Sequence, residues 1–247
     1  MAQRWKRQEN VPFPSIWHKF TGKKEVNGVL PKFWVQDIPE EYYQSAIAMM
    51  CDYFINEEPL CRYSNAKADP QFFEDMVLLW TECLKDKVAL ICFMENPDPK
   101  GKPIVAGLNM TAISYKGDKK KTEFKSEISK RIIGALNHVT NAKDPFETLK
   151  IDEYLTAMGL LVLPEFRGQN LGLQILKARE PLCKTLGLKA TVTSFTSIIS
   201  QKLAAKCGFK VLCEMTHKEI ESQNPKISFP GIENHTKSLK NMYMLFE

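Results

Sequence analysis

Leu160-Leu161-Val162-Leu163-Pro164-Glu165-Phe166-Arg167-Gly168-Gln169-Asn170-Leu171-Gly172 runs from an apolar extended segment through a proline stop and a glycine turn into a helix. The helix is marked by Leu171, Ile175, Ala178, Leu182 and Leu186, which fall on one face and end at Gly187. Glycines on a strand-to-helix turn let the main chain approach a ligand. The free N–H groups of the first helical turn, with the positive end of the helix dipole, converge there on an anion such as a phosphate. Gly168 and Gly172 are four apart, so GxGxxG is absent, and Gly101-Lys102 precedes Pro103 rather than Ser or Thr, so neither a dinucleotide fold nor a P-loop is indicated. As an isolated pattern the turn is equally an ordinary arginine-and-glycine connection.

Outward from this stretch the hydrophobic periods alternate between strand and helix. Before it, residues 33–38 read as a strand closed by Pro39. Tyr43, Ala46, Ile47, Met50, Tyr53 and Phe54 follow as an amphipathic helix of about four turns, ending at Asn56-Glu57-Glu58 before Pro59. A helix over 70–85, a buried strand over 88–94 and a strand over 104–110 come next, the two strands joined by the Asn96–Gly101 turn as a hairpin. A helix over 128–139 and an apolar strand from Tyr154 lead back to the opening stretch. Beyond it come a strand at 190–193, a helix over 197–207, a strand at 209–212 and a last strand at 242–246. This order predicts a mixed α/β sheet of about seven strands with helices on both faces.

At 247 residues, with 44% hydrophobic and 10% aromatic content, the chain suits one well-buried domain, expected over 32–247, preceded by a basic lead over 1–31 that either moves freely or wraps the core. The formal charge of +5 is the balance of 34 basic and 29 acidic residues spread along the chain, so nucleic acid is not an expected partner. The lysines of 116–130 (Lys116, Lys119, Lys120, Lys121, Lys125, Lys130) are interrupted by Glu123 and Glu127 and lack interleaved aromatics, and read as a solvated loop and helix start. No run reaches the roughly 18 apolar residues of a membrane span, and no apolar leader segment follows Arg4, Lys6 and Arg7. A cytoplasmic protein without membrane contact, acting as a monomer, is expected. The seven cysteines are odd in number and contain no CxxC pair, and His18, His138, His217 and His235 are scattered, so neither a disulfide framework nor a metal is expected.

The turn Arg167 to Gly172 resembles the Arg/Gln-x-x-Gly-x-Gly/Ala loop of the GCN5-related N-acetyltransferases. Ser194-Phe195-Thr196-Ser197-Ile198-Ile199-Ser200 and Lys206-Cys207-Gly208-Phe209 are similar to the strand, helix and Gly-Phe strand start that follow it there. The resemblance covers residues 32–247, with the segment near 114–150 as an addition. It implies a mostly antiparallel sheet whose strands splay at a cleft for acetyl-CoA. Tyr53-Phe54-Ile55-Asn56-Glu57-Glu58-Pro59-Leu60 further resembles the acidic-Glu-Pro-Leu box of the insect arylalkylamine N-acetyltransferases.

That resemblance implies the site. Glu58 stands where those enzymes carry the general base; read alone, it is a solvated carboxylate at a helix end. Acetyl-CoA is expected along Leu161, Val162 and Leu163 through main-chain groups, and on Arg167, Gly168, Gln169, Asn170, Leu171, Gly172 and Leu173, with Ser200. Thr196 and Ser200 match the positions of serines that serve the departing thiolate, although Thr196 replaces a serine and both residues also suit helix capping. Asn170 stands where a glycine is usual, and tolerates positive φ best among other residues. The implied reaction moves acetyl from acetyl-CoA directly to a small primary amine, of the dopamine, serotonin or tryptamine type. Two alternatives remain open. One is an acyl-CoA-binding protein of this fold without amine turnover; the other is an acyltransferase for a polyamine, a hydrazine-like acceptor or a protein lysine. Tyr63, Phe72, Phe73 and Trp80 either line the acceptor pocket or, the reading preferred, belong to the core.

Overall fold

The alternation of apolar side chains along the strands sorts them between two helical layers. In the computed structural model, which describes residues 5–118 and 122–246, the chain opens with β1 (Ile16–Thr21) and β2 (Lys32–Asp37). Arg4 of the basic lead and residues 119–121 of the lysine run lie outside the described residues. A helical stretch follows as α1 (Tyr43–Met49), a π-helical segment (Met50–Phe54) and α2 (Ile55–Glu57), then α3 (Pro59–Tyr63) and α4 (Pro70–Leu84). Next come β3 (Leu90–Met94), β4 (Ile104–Tyr115), α5 (Glu127–Ala142), α6 (Pro145–Leu149) and β5 (Glu153–Val162). After the glycine turn stand α7 (Leu171–Lys177), α8 (Arg179–Thr185), β6 (Ala190–Phe195), α9 (Ile198–Cys207), β7 (Lys210–Thr216), α10 (His217–Gln223) and β8 (Ser238–Leu245).

The eight strands form one sheet in the order β1-β2-β3-β4-β5-β6-β8-β7. Every pairing is antiparallel except β5 with β6. All five residues of β3 are buried, as a strand covered on both faces requires. Its Ile91 and Phe93 join a core with α1, α4 and α5, whereas Leu90, Cys92 and Met94 join another with Ile175 of α7 and Leu182 of α8. Phe72 and Trp80 lie in the first of these cores, as the core reading of those aromatics predicts.

The strand beyond the expected seven is β1. Ile-Trp-His-Lys-Phe-Thr is a half-exposed edge strand without clean alternation, so its period is weak in the sequence. It is held by Asp37, fully buried, whose Oδ2 accepts from Ser15 N at 2.9 Å and from Arg7 at 2.8 Å while Oδ1 accepts from the Trp17 indole at 2.7 Å. Burial pushes the Asp37 carboxyl upward against the pull of these partners. The lead therefore wraps the core over the described residues from Trp5.

Candidate active site

The parting of two neighbouring strands opens a cleft in the middle of the sheet. β5 and β6 share one register pair, Leu155 with Thr191, and separate beyond it, so the edge of β5 from Gly159 to Val162 is not laddered to β6. On its other side β5 stays paired with β4, Gly107 facing Val162 and Leu108 facing Leu161. The approach is close at Gly107, where a Cβ would stand 2.7 Å from the Leu161 carbonyl oxygen. Gly159, at φ +132°, lies against Met50 and Phe54, so the π-helical segment presses directly on the strand at the cleft.

The parting of β5 and β6 is braced from below by Arg179, 1% exposed, at the start of α8. Its Nε and one terminal nitrogen donate to Asn109 Oδ1 at 3.0 and 2.8 Å, and the other donates to Thr193 and Thr191 at 2.9 and 3.3 Å. Asn109 Nδ2 in turn donates to Gly159 O at 2.7 Å, and Thr191 donates to Leu155 O at 2.8 Å. Burial lowers the Arg179 guanidinium to about 10, because its acceptors in this network are neutral.

Above the cleft, Pro164–Phe166 makes one 3₁₀ turn and Gly168 and Asn170 take left-handed conformations at φ +87° and +66°. Asn170 therefore does adopt the backbone form of the glycine it replaces. The N–H groups of Gly168 and Asn170, and those of Leu171, Gly172 and Leu173 in the first turn of α7, have no acceptor among the described residues. Behind them Ala178 N donates to Gln174 O and Leu182 N to Ala178 O, so α7 and α8 run on as one helical rod. The open N–H groups and the dipole of that rod fit a pyrophosphate. The Gln169 side chain faces elsewhere: Oε1 accepts from Lys23 N and Lys24 N at 2.7 and 2.8 Å, and Nε2 donates to Lys24 O at 2.7 Å.

The acidic box meets this loop. Arg167 donates to Glu57 Oε2 at 2.5 Å across 110 positions of sequence, and to Val162 O at 3.4 Å. The next residue, Glu58, is the N-cap of α3, with Pro59 in the first turn; its Oε2 accepts from Cys61 N at 2.7 Å. Its Oε1 is buried and has no partner. One oxygen is thus fixed by the backbone, and the carboxylate also lies within hydrogen-bond reach of the Cys61 thiol. Burial, and then the Glu58 charge, drive the adjacent Cys61 thiol well upward, so it stays protonated.

The hydroxyl positions differ from each other. Ser197 caps α9, and Ser200 completes a capping box with it: Ser200 Oγ accepts from Ser197 N at 3.3 Å and donates to Ser197 O at 2.9 Å. Thr196 precedes the cap and is half-buried, outside that pair of bonds. Sequence reasoning missed the Arg167–Glu57 ion pair, the Arg179 brace and the bonds of Gln169 to Lys23 and Lys24, all of which join residues distant in sequence; Arg167 and Gln169 were visible as members of the loop and Glu57 as a member of the box, but not their partners. Among the described residues no group of three or more His, Cys, Asp or Glu is placed to hold a metal ion. No helix among them is long and apolar enough to cross a membrane. An open apolar concavity lies elsewhere, between α1 and α4, lined by Tyr43, Ile47, Val77 and Leu84.

No protein-family model matches the chain, and no curated protein sequence matches it. Solved structures do. One that bears the designation insect arylalkylamine N-acetyltransferase 7, from the yellow fever mosquito Aedes aegypti, is 34% identical, with a TM-score of 0.90 over 98% of this chain and 99% of that one. Arylalkylamine N-acetyltransferase 2 of Aedes aegypti is 22% identical at a TM-score of 0.71, covering 87% of this chain and 99% of its own. A Drosophila melanogaster polyamine N-acetyltransferase that forms N-acetylagmatine is 14% identical at 0.69, over 87% of this chain and all of its own. The last two show the fold alone. With the splayed sheet and the open loop, the first carries the assignment: the chain belongs to the GCN5-related N-acetyltransferase superfamily, with the acetyl-transfer function of that superfamily, and resembles its insect arylalkylamine N-acetyltransferases.

Proposed function

We propose that the protein transfers acetyl from acetyl-CoA to a small primary arylalkylamine, with Glu58 as general base, in a direct attack within a ternary complex. The observation that carries this reading is the split carboxylate: Glu58 Oε2 is held by Cys61 N while Oε1 is buried without a partner, one residue from the Glu57 that pairs with the cofactor loop. A lysine-like amine of pKa near 10.4 is neutral in only about one molecule per thousand at pH 7, a penalty of roughly 4 to 5 kcal/mol for attack on a thioester. Glu58 Oε1 takes that proton directly or through water. The amine nitrogen then bonds to the thioester carbonyl carbon, the carbon–sulfur bond breaks, and the second proton of the nitrogen passes to the departing thiolate, which leaves as the CoA thiol.

On this reading the open N–H groups from Gly168 to Leu173 hold the pyrophosphate, and main-chain groups of Leu161, Val162 and Leu163 align pantetheine and polarise the carbonyl. Thr196 is the nearer choice of donor to the departing thiolate, since the Ser200 hydroxyl is already spent in its capping box. Residues 32–247 serve as one acyltransferase domain, with the lead fastened to it and 114–150 added. An arylalkylamine acceptor is favoured by the 34% identical mosquito protein. The test is a screen of tryptamine, dopamine, serotonin, agmatine and spermidine for thiol release from acetyl-CoA. Turnover of the aromatic amines supports the reading; binding of CoA with no turnover of any amine overturns it.

A further inference from the structure

A second element reaches the loop on which the proposed function places the CoA pyrophosphate, and its role rests on that reading. Residues 22–31, between β1 and β2, form a finger. Gly22 N donates to Pro31 O at 2.7 Å, and Val26 and Val29 pair across Asn27 and Gly28, which take φ +52° and +78° as a two-residue hairpin turn requires. The finger is fastened at its base by Gln169, 6% exposed, through the three bonds to the main chain of Lys23 and Lys24. With its backbone fixed in this way, Lys24 lays its side chain across Gly168. A Cβ at Gly168 would stand 2.5 Å from Lys24 Nζ and 2.8 Å from its Cε.

The charges around the loop give this placement a use. The Arg167 guanidinium is engaged by Glu57, whereas Lys24 pairs with no carboxylate among the described residues. The ammonium therefore sits unpaired beside a left-handed glycine and a row of open N–H groups. That is a surplus of donors and positive charge with no anion of the protein to receive it. A phosphate oxygen is the ligand that satisfies both sets at once.

We propose that Lys24, held in place by Gln169, is a ligand of the cofactor phosphates and that the finger of residues 22–31 straps the nucleotide end of acetyl-CoA to the loop. The acetyl-bearing end is untouched by this contact, which sets how tightly the donor binds and not how fast it reacts.

The full chain with Lys24→Ala, Lys24→Arg and, as a control on β1, Lys19→Ala is compared with the wild type. Calorimetry with CoA and steady-state kinetics with acetyl-CoA and with acetyl-pantetheine, which lacks the phosphates, are measured. Loss of one charged hydrogen bond is expected to raise the Kd of CoA and the KM of acetyl-CoA about tenfold in Lys24→Ala, with kcat within about twofold. Lys24→Arg recovers most of the affinity, Lys19→Ala matches the wild type, and kcat/KM with acetyl-pantetheine is the same in all. Unchanged CoA affinity in Lys24→Ala, with the wild type binding CoA, overturns the strap and leaves the proposed function standing. An equal loss with acetyl-pantetheine also overturns it, by marking Lys24 as merely structural. A wild type that does not bind CoA overturns both.

Discussion

Glu58→Gln separates the two duties of one carboxylate. Glutamine keeps an oxygen that accepts from Cys61 N, so the cap of α3 survives, while the buried Oε1 that faces no partner loses its basicity. Without a base the variant depends on the neutral fraction of the amine, about one in a thousand at pH 7, and general-base catalysis contributes about 10²- to 10⁴-fold. We expect kcat/KM at pH 7 to fall by about 10²- to 10³-fold. The deficit should shrink about tenfold per pH unit as the pH rises toward the amine pKa, because the solvent then does what the carboxylate did. Thermal stability stays near wild type, whereas Glu58→Ala, which loses the cap as well, is destabilised by about 1 kcal/mol, or about 2 to 4 °C in Tm. The assay is thiol release from acetyl-CoA with an amine that the wild type acetylates, from pH 6.5 to 9.5. A Glu58→Gln rate within about threefold of wild type at pH 7, or a deficit that does not change with pH, would refute the role of Glu58.

His217 is buried against Phe229 with neither ring nitrogen bonded, and burial holds its pKa below 6.5, with the Glu233 charge pulling weakly the other way. The unfolded chain thus takes up a proton near pH 6.5 that the folded chain refuses, so stability should fall as the pH drops below 6.5, and His217→Phe should flatten that fall in urea titrations at pH 5.5 and 7.5. Gly107→Ala sets a methyl 2.7 Å from the Leu161 carbonyl oxygen and should cost about 1 to 3 kcal/mol, seen as a lower denaturation midpoint together with a raised KM for acetyl-CoA; a neutral effect on both would show that β4 and β5 are free to part there. Arg179→Met strands Asn109 Oδ1 and the Thr193 hydroxyl, and should lower stability by about 1 to 3 kcal/mol per stranded group by the same measurement.

What the sequence made legible is local. The strand, proline stop, glycine turn and helix of 160–186 were readable because each signal lies within a few residues of the next, and Asn170 could be matched to a left-handed position from its side chain alone. Glu58 was readable as a helix-end acid before a proline. That it caps α3 with one oxygen and buries the other depends on a fold of the chain that no spacing encodes. The first helix keeps its three- and four-residue recurrence through Met50–Phe54, so the π-helical segment was hidden inside a pattern that looks regular. β1 was missed because an edge strand need not alternate, and Asp37, which anchors the lead, gave no sign that its partners Arg7, Ser15 and Trp17 would come from the segment before it.

The buried Arg179 network explains why the cleft has a definite width. Strands β5 and β6 keep a single register pair, so hydrogen bonds between them cannot set the distance at which they part. Arg179 supplies what the ladder omits. It reaches β4 through Asn109, β6 through Thr191 and Thr193, and β5 at two points, Gly159 O by way of Asn109 and Leu155 O by way of Thr191. An arginine is the one side chain with enough rigidly spaced donors to serve these acceptors together, and its depressed pKa is the cost of burying it. Hydrophobic side chains in its place would fill the volume but would leave Asn109 Oδ1 and the Thr193 hydroxyl without their donor. Gly159, pressed from above by Met50 and Phe54, connects the helix that ends at Glu58 to the strand edge where the thioester is proposed to lie. The brace thus fixes the strand edge at which the base and the acetyl group are proposed to meet.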